Sequence, residues 1–385
     1  MSSRLFAIST FAILAAASML AGCLDVPEAD NEAPSAEDAD TRGRLLSVLG
    51  ALPAPSYDRD SGVQWWEDFV NENSYRHWAL PVNQRAAAFL ESELASAGFE
   101  AETITYSSGP RGVTPPVGPE PPTEFIVVRG IKQGTTNPDH RLILISHFDT
   151  VAETAQGAYD DGSGVAAEME ICKQLAKVET NKTIECAFFD GEEQGLVASQ
   201  IYAQEYRSNH ENGTIDYVYD QGFGYDMTGL NWPGYSTWKL YTMVGTQHRD
   251  LAEFTEAHQE FMNVTLYDFM GAEYDVRPEG VETIPVHDRN SDEQNFKRVG
   301  IPVIRFAGGR KAADYPMYHR AGDTVPYVYS YACSTPTAPC TDQAKGKELF
   351  SKGFEMVVLT SYYTILAWDR FDPKAIDLEP LPEQV

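Results

Sequence analysis

Five short polar segments of the chain contain acidic residues, in four of them together with histidines or glycines, and the five together could perform chemistry. They are His147-Phe148-Asp149, Gly157 to Gly164, Gly191-Glu192-Glu193, Tyr225-Asp226-Met227 and Tyr318 to Thr324. Alone, each has an ordinary explanation: a His-x-Asp pair is commonly a hydrogen bond, and Asp-Asp-Gly-Ser-Gly is a turn and helix cap. Together, their carboxylates would repel one another unless cations neutralised them. Two imidazoles among carboxylates suit a divalent metal that accepts nitrogen and oxygen, with zinc the leading candidate.

The elements that must position these segments are strands, since three of the segments directly follow strand-like stretches. The strand predicted over 141–146 holds a continuous apolar run and leads to His147, and the strand predicted over 183–190 leads to Gly191. A further candidate strand ends at Tyr225. Continuous apolar runs are typical of parallel strands buried on both faces. Ligands bind beyond the carboxyl ends of such strands, so we expect one site at one edge of the sheet.

Residues 42–375 alternate strands with helices. Helices are predicted over 83–97, 164–177, from about Gln194, and over 345–368, and further strands over 101–106, 124–132 and 300–306. This alternation predicts one α/β domain with a mostly parallel sheet. Residues 231–290 show no clear pattern, and 376–385 are predicted to be a C-terminal tail.

The first 22 residues predict a signal peptide, because the single basic residue Arg4 precedes an apolar stretch and small residues. The segment Leu20-Ala21-Gly22-Cys23 resembles the bacterial lipobox, so Cys23 is expected to be lipidated and to anchor the mature chain. Residues 23–41 hold seven acids and no base, which predicts a disordered tether. We expect a location in the bacterial cell envelope, with Leu24 favouring the outer membrane.

The acidic balance excludes two classes of partner. With 57 Asp and Glu against 29 Lys and Arg, the formal net charge is −28. Nucleic-acid binding depends on Lys and Arg that neutralise phosphates, and anionic lipid would be repelled as well. Membrane contact is therefore expected through the lipid anchor only. The sequence makes no prediction of the oligomeric state.

Four cysteines follow Cys23. Because the cell envelope permits disulfides, Cys333 and Cys340 are candidates for a bridge that closes a short ring. Cys172 is predicted on the apolar face of a helix and Cys186 in a strand. Both are expected to be buried apolar residues without a bridge.

Taken in order, the polar segments resemble those of the M28 zinc peptidases, a family of dizinc exopeptidases. The resemblance covers roughly residues 83–370 and includes Ser146 and Gln194-Gly195-Leu196 beside the five segments. It implies a three-layer αβα fold around a central mixed, mostly parallel sheet. It also implies an aminopeptidase that acts on the N-termini of peptides or proteins.

The resemblance further implies two zinc ions per chain, held by five residues. His147 and Asp226 would bind one ion, Glu193 and His319 would bind the other, and Asp160 would bridge the two. Two metal ions about 3.5–4 Å apart can hold one water as hydroxide and polarise the substrate carbonyl.

Further acids would act around these ligands. Glu192 would be the general base, which takes the proton of the water and passes it to the leaving amine. Asp149 would orient His147 through its second ring nitrogen. Asp161 would follow the bridging residue through a cis peptide bond, and Asp323, in the last segment, would belong to the outer layer of the site.

One segment departs from the family pattern. Many members have Ser-Asp-His before an aromatic residue and a Gly-Ile-Pro strand, whereas this chain has Ser291-Asp292-Glu293. Asp292 is expected to be an outer partner of His319. Glu293 replaces the usual histidine, which leaves the role of that position open.

Two other functions stay open. A glutaminyl cyclase would share the fold and part of the ligand set but would use one zinc, and cyclisation of N-terminal glutamine would identify it. A non-catalytic binding module on this fold would be expected to have lost ligands or the general base, all of which this chain keeps.

Overall fold

A computed structural model describes residues 36–107, 124–152, 156–229, 240–246, 251–270, 281–285, 291–309, 312, 315–335 and 337–370. From Thr41 onward the described residues form one compact unit. The predicted signal peptide, Cys23, the C-terminal tail and most of the tether lie outside the described residues. The prediction of disorder up to residue 41 is wrong at its end, because helix α1 spans Ala36–Gly50. Leu45 and Leu49 of this helix are buried, and this packing against the rest of the fold stabilises the helix.

The described strands form one sheet of eight. They are β1 (Glu100–Ser107), β2 (Glu124–Lys132), β3 (Asn137–His147), β4 (Lys182–Phe189), β5 (Val218–Tyr225), β6 (Leu240–Gly245), β7 (Val281–Pro285) and β8 (Val303–Ala307). Their spatial order is β1-β2-β4-β3-β5-β8-β6-β7. The central strands β4, β3, β5 and β8 run parallel, whereas β1 with β2, β2 with β4, and β6 with β8 pair antiparallel. The prediction of a mixed, mostly parallel sheet is confirmed.

Eight further helices are described after α1. They are α2 (Arg59–Glu72), α3 (Pro81–Ala97), α4 (Gly162–Ala176), α5 (Val197–Glu211), α6 (Leu251–Asn263), α7 (Glu293–Arg298), α8 (Val325–Ala332) and α9 (Gln343–Arg370). A π-helical turn, Val264–Phe269, continues α6. No helix within the described part of the chain is long and apolar enough to cross a membrane.

Helices cover both faces of the sheet, because alternate side chains of β3 enter two separate cores. Leu142 and Leu144 pack in the core that includes α2, α3, α4 and α9. Ile143 and Ile145 pack in the second core, with α5 and α7. Side chains that alternate between two apolar cores require a layer on each side of the strand. The three-layer αβα arrangement that the sequence resemblance implied is therefore confirmed.

Two element starts differ from the sequence prediction for local reasons. Helix α5 begins at Val197 rather than near Gln194, because Gly195 and Leu196 have φ values of 103° and 62°, outside the helical region. Strand β8 begins at Val303, directly after Pro302, whose missing N–H cannot join the ladder. The unplaced region 231–290 contributes β6, α6 and β7, and the rest of it lies outside the described residues.

The four cysteines of the described residues form two disulfides. Cys333 and Cys340, the predicted pair, have Cα atoms 5.5 Å apart. Cys172 of α4 and Cys186 of β4 are also bonded, with Cα atoms 6.6 Å apart, so the prediction that they stay unbridged is wrong. The bond arises because α4 packs over β4, a tertiary contact that spacing along the chain does not reveal.

Candidate metal centre

Three adjacent strands deliver the polar segments to one edge of the sheet. Strand β3 ends at His147, and its parallel partner β4 pairs Phe189 with that residue before leading to Gly191. On the other side of β3, β5 ends at Tyr225, directly before Asp226. Because these strands are parallel neighbours, their carboxyl ends lie side by side, as the sequence predicts.

Asp160 lies between two histidines and takes part in two clusters. Its Oδ1 is 3.5 Å from His147 Nε2, and its Oδ2 is 3.4 Å from His319 Nε2. His147 Nε2 is also 4.0 Å from Asp226 Oδ1, and His319 Nε2 is 2.9 Å from Glu193 Oε2. The structure thus brings all five predicted ligands together, in two groups that share one carboxylate.

These donor atoms fit divalent cations. Among the described residues, Asp160 Oδ2, Glu193 Oε1 and Asp226 Oδ1 are buried and lack hydrogen-bond partners. Donor atoms of Asp160, Glu193 and His319 lie within 4.8 Å of one another. Burial raises the pKa of Glu193 well above its ordinary value, and the charge of Asp160 raises it further. Unpartnered buried carboxylates are costly, and nitrogen and oxygen donors in this combination suit zinc.

Glu192 points at the first group. Its donor atom lies within 4.8 Å of those of His147 and Asp226. Part of its side chain remains open, and the surrounding desolvation raises its pKa well above the ordinary value, against the opposing charge of His147. A carboxylate with a raised pKa beside metal-type ligands is suited to accept and return a proton.

Asp149 connects His147 to the loop that carries the two glutamates. Its Oδ1 is 3.4 Å from His147 Nδ1. The same oxygen accepts the backbone N–H of Glu192 at 3.1 Å, and Oδ2 accepts that of Glu193 at 3.3 Å. One buried carboxylate therefore holds the loop by two hydrogen bonds and lies beside the His147 ring.

Asp161 performs a similar task at the start of α4. It follows Asp160 through a cis peptide bond, as the resemblance implied. Its Oδ1 accepts the backbone N–H groups of Gly164 and Met227, both at 2.9 Å. The helix start and the end of β5 are thereby fixed to each other through one side chain.

Asp323 holds the backbone of Asp160. Its carboxylate accepts the backbone N–H groups of Tyr159 and Asp160, both at 3.0 Å, and the hydroxyl of Tyr315 at 2.9 Å. Burial raises the pKa of Asp323 to about 7, although the two backbone donors oppose that shift.

The segment that departs from the family pattern lies beneath the site. Asp292 is fully buried, and burial raises its pKa to about 8, with the charge of His147 opposing the shift. The described ion pairs of His319 are with Asp160 and Glu193, so the expected partnership of Asp292 with His319 is not found among them.

Glu293 pairs with an arginine that sequence reasoning did not select. Arg305 Nη1 is 3.5 Å from Glu293 Oε1, and Arg305 Nη2 donates to Asp226 Oδ2 at 2.8 Å. A charged residue inside the apolar run of β8 was the signal that could have identified it.

Arg76 was also missed, and no local pattern marks it. This fully buried guanidinium donates to the carbonyls of Phe148 at 2.7 Å, Gln156 at 2.6 Å, Gly157 at 3.0 Å and Asn73 at 3.2 Å. It thus holds together the loops that follow His147 and precede Asp160. Burial lowers the pKa of Arg76 to about 10, while neighbouring aspartates oppose that shift.

A pocket of about 400 Å³ opens beside these groups. Its described lining consists of Glu192, Glu193, Gly195, Leu196, Gln294, Arg298 and His319. His319, whose side chain is 39% exposed, faces this opening. The pocket gives a substrate direct access to the general-base candidate and to one ligand cluster.

Comparison with known sequences gives a consistent result. A model of peptidase family M28 matches residues 127–334, which are more than half of the chain. Aminopeptidase Y of Saccharomyces cerevisiae is 35% identical over 106 residues, covering 27% of this chain and 19% of that protein. The chain spans about a fifth of the length of this relative and of other curated relatives at similar identity.

Solved structures share the fold. A zinc aminopeptidase from Bacillus subtilis has a TM-score of 0.58 at 14% identity, covering 81% of this chain and 96% of that one. A glutaminyl cyclase from Fimbriiglobus ruber has a TM-score of 0.52 at 17% identity, covering 80% and 99%. At these identities the likeness shows the fold alone, so the chemistry must be argued from the residues of the site.

Proposed function

The chain belongs to peptidase family M28, and on this premise we propose that it is a zinc-dependent aminopeptidase. The observation that carries the proposal is the pair of ligand clusters that share Asp160 beside an open pocket. Its substrates would be peptides or proteins with a free N-terminus, and its product the released first residue.

Two zinc ions are proposed, one for each cluster. His147, Asp160 and Asp226 would hold one ion, and Asp160, Glu193 and His319 the other. When bound, zinc supplies Lewis acidity toward the substrate carbonyl and the attacking water. Asp149 would keep the Nε2 of His147 directed at the metal, because it faces the other ring nitrogen.

Glu192 is proposed as the general base. Its raised pKa suits a group that accepts the proton of water and then protonates the leaving amine. Because Asp149 binds its backbone N–H, the side chain is held at the pocket beside the first cluster. The acidic lining of the pocket would also favour the ammonium group of a free N-terminus.

The proposal is tested with Glu192→Gln, which keeps the size of the side chain but cannot accept the proton. We expect kcat on aminoacyl substrates to fall about 10²- to 10⁴-fold, with zinc content unchanged. Glu179→Gln, at an exposed position, is the matched control and should keep full activity. Full activity of Glu192→Gln would contradict the proposed base, and equal cleavage of N-blocked and free peptides would contradict the aminopeptidase assignment.

A glutaminyl cyclase shares the fold and is the nearest alternative. The two complete ligand clusters favour two metals over one. One zinc per chain, with cyclisation of N-terminal glutamine and no peptide cleavage, would support the cyclase. Zinc binding with neither reaction would support a non-catalytic binding module.

We also propose that the chain is a lipoprotein of the bacterial cell envelope, anchored at Cys23. Support comes from the segment Leu20-Ala21-Gly22-Cys23 after an apolar stretch and from the acidic residues that follow it. In a bacterial host, Cys23→Ser should move the protein out of the membrane fraction. Retention of Cys23→Ser in that fraction would contradict the anchor.

A further inference from the structure

Among the described residues that line the pocket beside the metal centre, one is a permanent cation, Arg298, which has no part in the proposed metal binding or proton transfer. We propose that Arg298 makes this pocket selective for substrates that carry a carboxylate close to the scissile bond. The inference rests on the proposed aminopeptidase function and deepens it by naming a substrate class.

Arg298 is held in place by neutral groups. Its Nη2 donates to Gln294 Oε1 at 2.8 Å, and its Nη1 donates to Asn295 Oδ1 at 3.1 Å. Both amides are buried on α7, whereas Arg298 itself is exposed. Neutral hydrogen-bond partners orient the guanidinium without cancelling its charge, which leaves the remaining N–H groups able to bind an anion.

The acidic groups around Arg298 explain why its positive charge would matter to a substrate. Glu192 and Glu193 line the same pocket, so a substrate carboxylate would meet repulsion from them and needs a compensating cation. A guanidinium is suited to this task, because its planar donors match the two oxygens of a carboxylate. A volume of about 400 Å³ is large enough for an acidic side chain or a short peptide.

Two sources could supply the carboxylate. It could belong to an N-terminal Asp or Glu side chain, or it could be the C-terminus of a dipeptide. The chemistry of recognition is the same in both, and only the position of the anion relative to the scissile bond differs.

The experiment compares Arg298→Gln with Lys297→Gln, which removes the same charge from the neighbouring position of α7. The first pair of substrates is Glu-Ala-amide and Gln-Ala-amide, and the second is Leu-Ala and Leu-Ala-amide. For wild type and Lys297→Gln, we expect kcat/KM to favour the carboxylate member of one pair. In Arg298→Gln that ratio should fall about 10- to 100-fold, mainly through KM.

The outcomes separate the two sources and the two proposals. A change confined to the first pair assigns the acidic side chain, and a change confined to the second assigns the C-terminus. The inference is overturned if neither ratio changes in Arg298→Gln, or if Lys297→Gln changes it equally. If the wild type cleaves none of the substrates, the aminopeptidase proposal fails. Calorimetric binding of free glutamate against glutamine, to wild type and Arg298→Gln, then still decides the role of Arg298.

Discussion

The guanidinium of Arg305, on strand β8, lies between the carboxylates of Asp226 and Glu293. Arg305 bonds Asp226 at 2.8 Å and faces Glu293 at 3.5 Å, and all three side chains are buried. Desolvation alone would lower the pKa of Arg305, but the charges of Asp226 and Glu293 raise it. Glu293, in the position where family members commonly have histidine, therefore has a partner that compensates its charge. One oxygen of Asp226 is thereby occupied, while Oδ1 remains directed at His147.

Removing this arginine should destabilise the fold strongly. Arg305→Met leaves Asp226 and Glu293 buried without a cation, which we expect to lower the free energy of unfolding by about 3–5 kcal/mol. Adding Glu293→Gln removes one of the two stranded charges and should restore part of that loss. Unfolding by guanidinium chloride in the presence of a chelator gives the free energy of unfolding of both variants without the contribution of bound metal. A loss below 1 kcal/mol in Arg305→Met would show that the ion pair is not required.

The individual residues divide into those that carry a motif and those that do not. His147, Asp160 and Glu193 could be selected because short motifs at strand ends limit what such residues do. Arg76 and Arg305 could not be assigned a partner, because their contacts come from loops and strands distant in sequence. Long-range contacts of this kind depend on the packing of the whole chain, which one sequence does not display.

At the scale of elements, a disulfide joins the helix that follows Asp160 to the strand that precedes Glu192 and Glu193. The bond between Cys172 and Cys186 connects α4 to β4 across a separation of 14 residues. A crosslink of this span restricts the unfolded chain and is worth about 3 kcal/mol in the loop-entropy account. It therefore secures the packing that fixes both clusters in the sheet.

We expect Cys172→Ala/Cys186→Ala to lower the free energy of unfolding by about 3 kcal/mol, because the unfolded chain regains its loop freedom. Denaturant unfolding followed by fluorescence provides the measurement. Cys333→Ala/Cys340→Ala is the matched control, and its ring, with a separation of 7 residues, should cost roughly 2 kcal/mol. Equal stability of wild type and the first variant would contradict a structural role for this bond.

Helix α6 contains a histidine that should make the fold sensitive to acid. His258 is fully buried, its ring packs edge-on near Trp368, and neither ring nitrogen has a hydrogen-bond partner among the described residues. Burial lowers the pKa of His258 from 6.5 to about 3. The histidine is therefore neutral in the folded chain, while the unfolded chain takes up a proton below pH 6.5.

The stability associated with this residue is complete above pH 6.5 and is lost as the pH falls from 6.5 toward 3. Over that window the wild type should lose about 1.4 kcal/mol per pH unit relative to His258→Leu. Denaturant unfolding of both proteins at pH 7.5 and pH 5.5 gives the comparison, in which the difference between the two pH values matters. A stability difference that stays constant with pH would mean that His258 takes up a proton in the folded chain at the same pH as in the unfolded chain.

Most helices and strands were predictable from the sequence, but which of them lie side by side in the fold was not. Apolar runs in the sequence predict strands β3 and β4, and a long amphipathic pattern predicts α9. The position of β8 between β5 and β6 depends on a long connection, and the region between Asp226 and β8 lacks periodicity. The Cys172–Cys186 bond was missed for the same reason, since it required knowing which helix covers which strand.

At the scale of the whole molecule, the acidic character has two components. Most of the 57 Asp and Glu behind the net charge of −28 are not among the acids described at the site, and a high net charge favours solubility. A second group of acids is buried within or around the ligand clusters: Asp149, Asp160, Asp161, Asp190, Asp226, Asp292, Glu293 and Asp323. Burial raises the pKa of Asp161 and of Asp190 well above the ordinary value. Such a concentration of carboxylates stores repulsion that divalent cations would relieve.

Metal removal should therefore destabilise the entire fold. If zinc at 1,000 times its Kd occupies the clusters, it contributes about 4 kcal/mol to the free energy of unfolding, and a chelator should lower Tm by several degrees. Added zinc should restore Tm, whereas magnesium should not, because it prefers oxygen ligands in octahedral geometry. Asp160→Asn weakens both clusters at once, since each oxygen of Asp160 faces a different histidine, so its Tm should respond little to chelator. An unchanged Tm in zinc-containing wild-type protein after complete chelation would contradict the view that these buried carboxylates depend on metal.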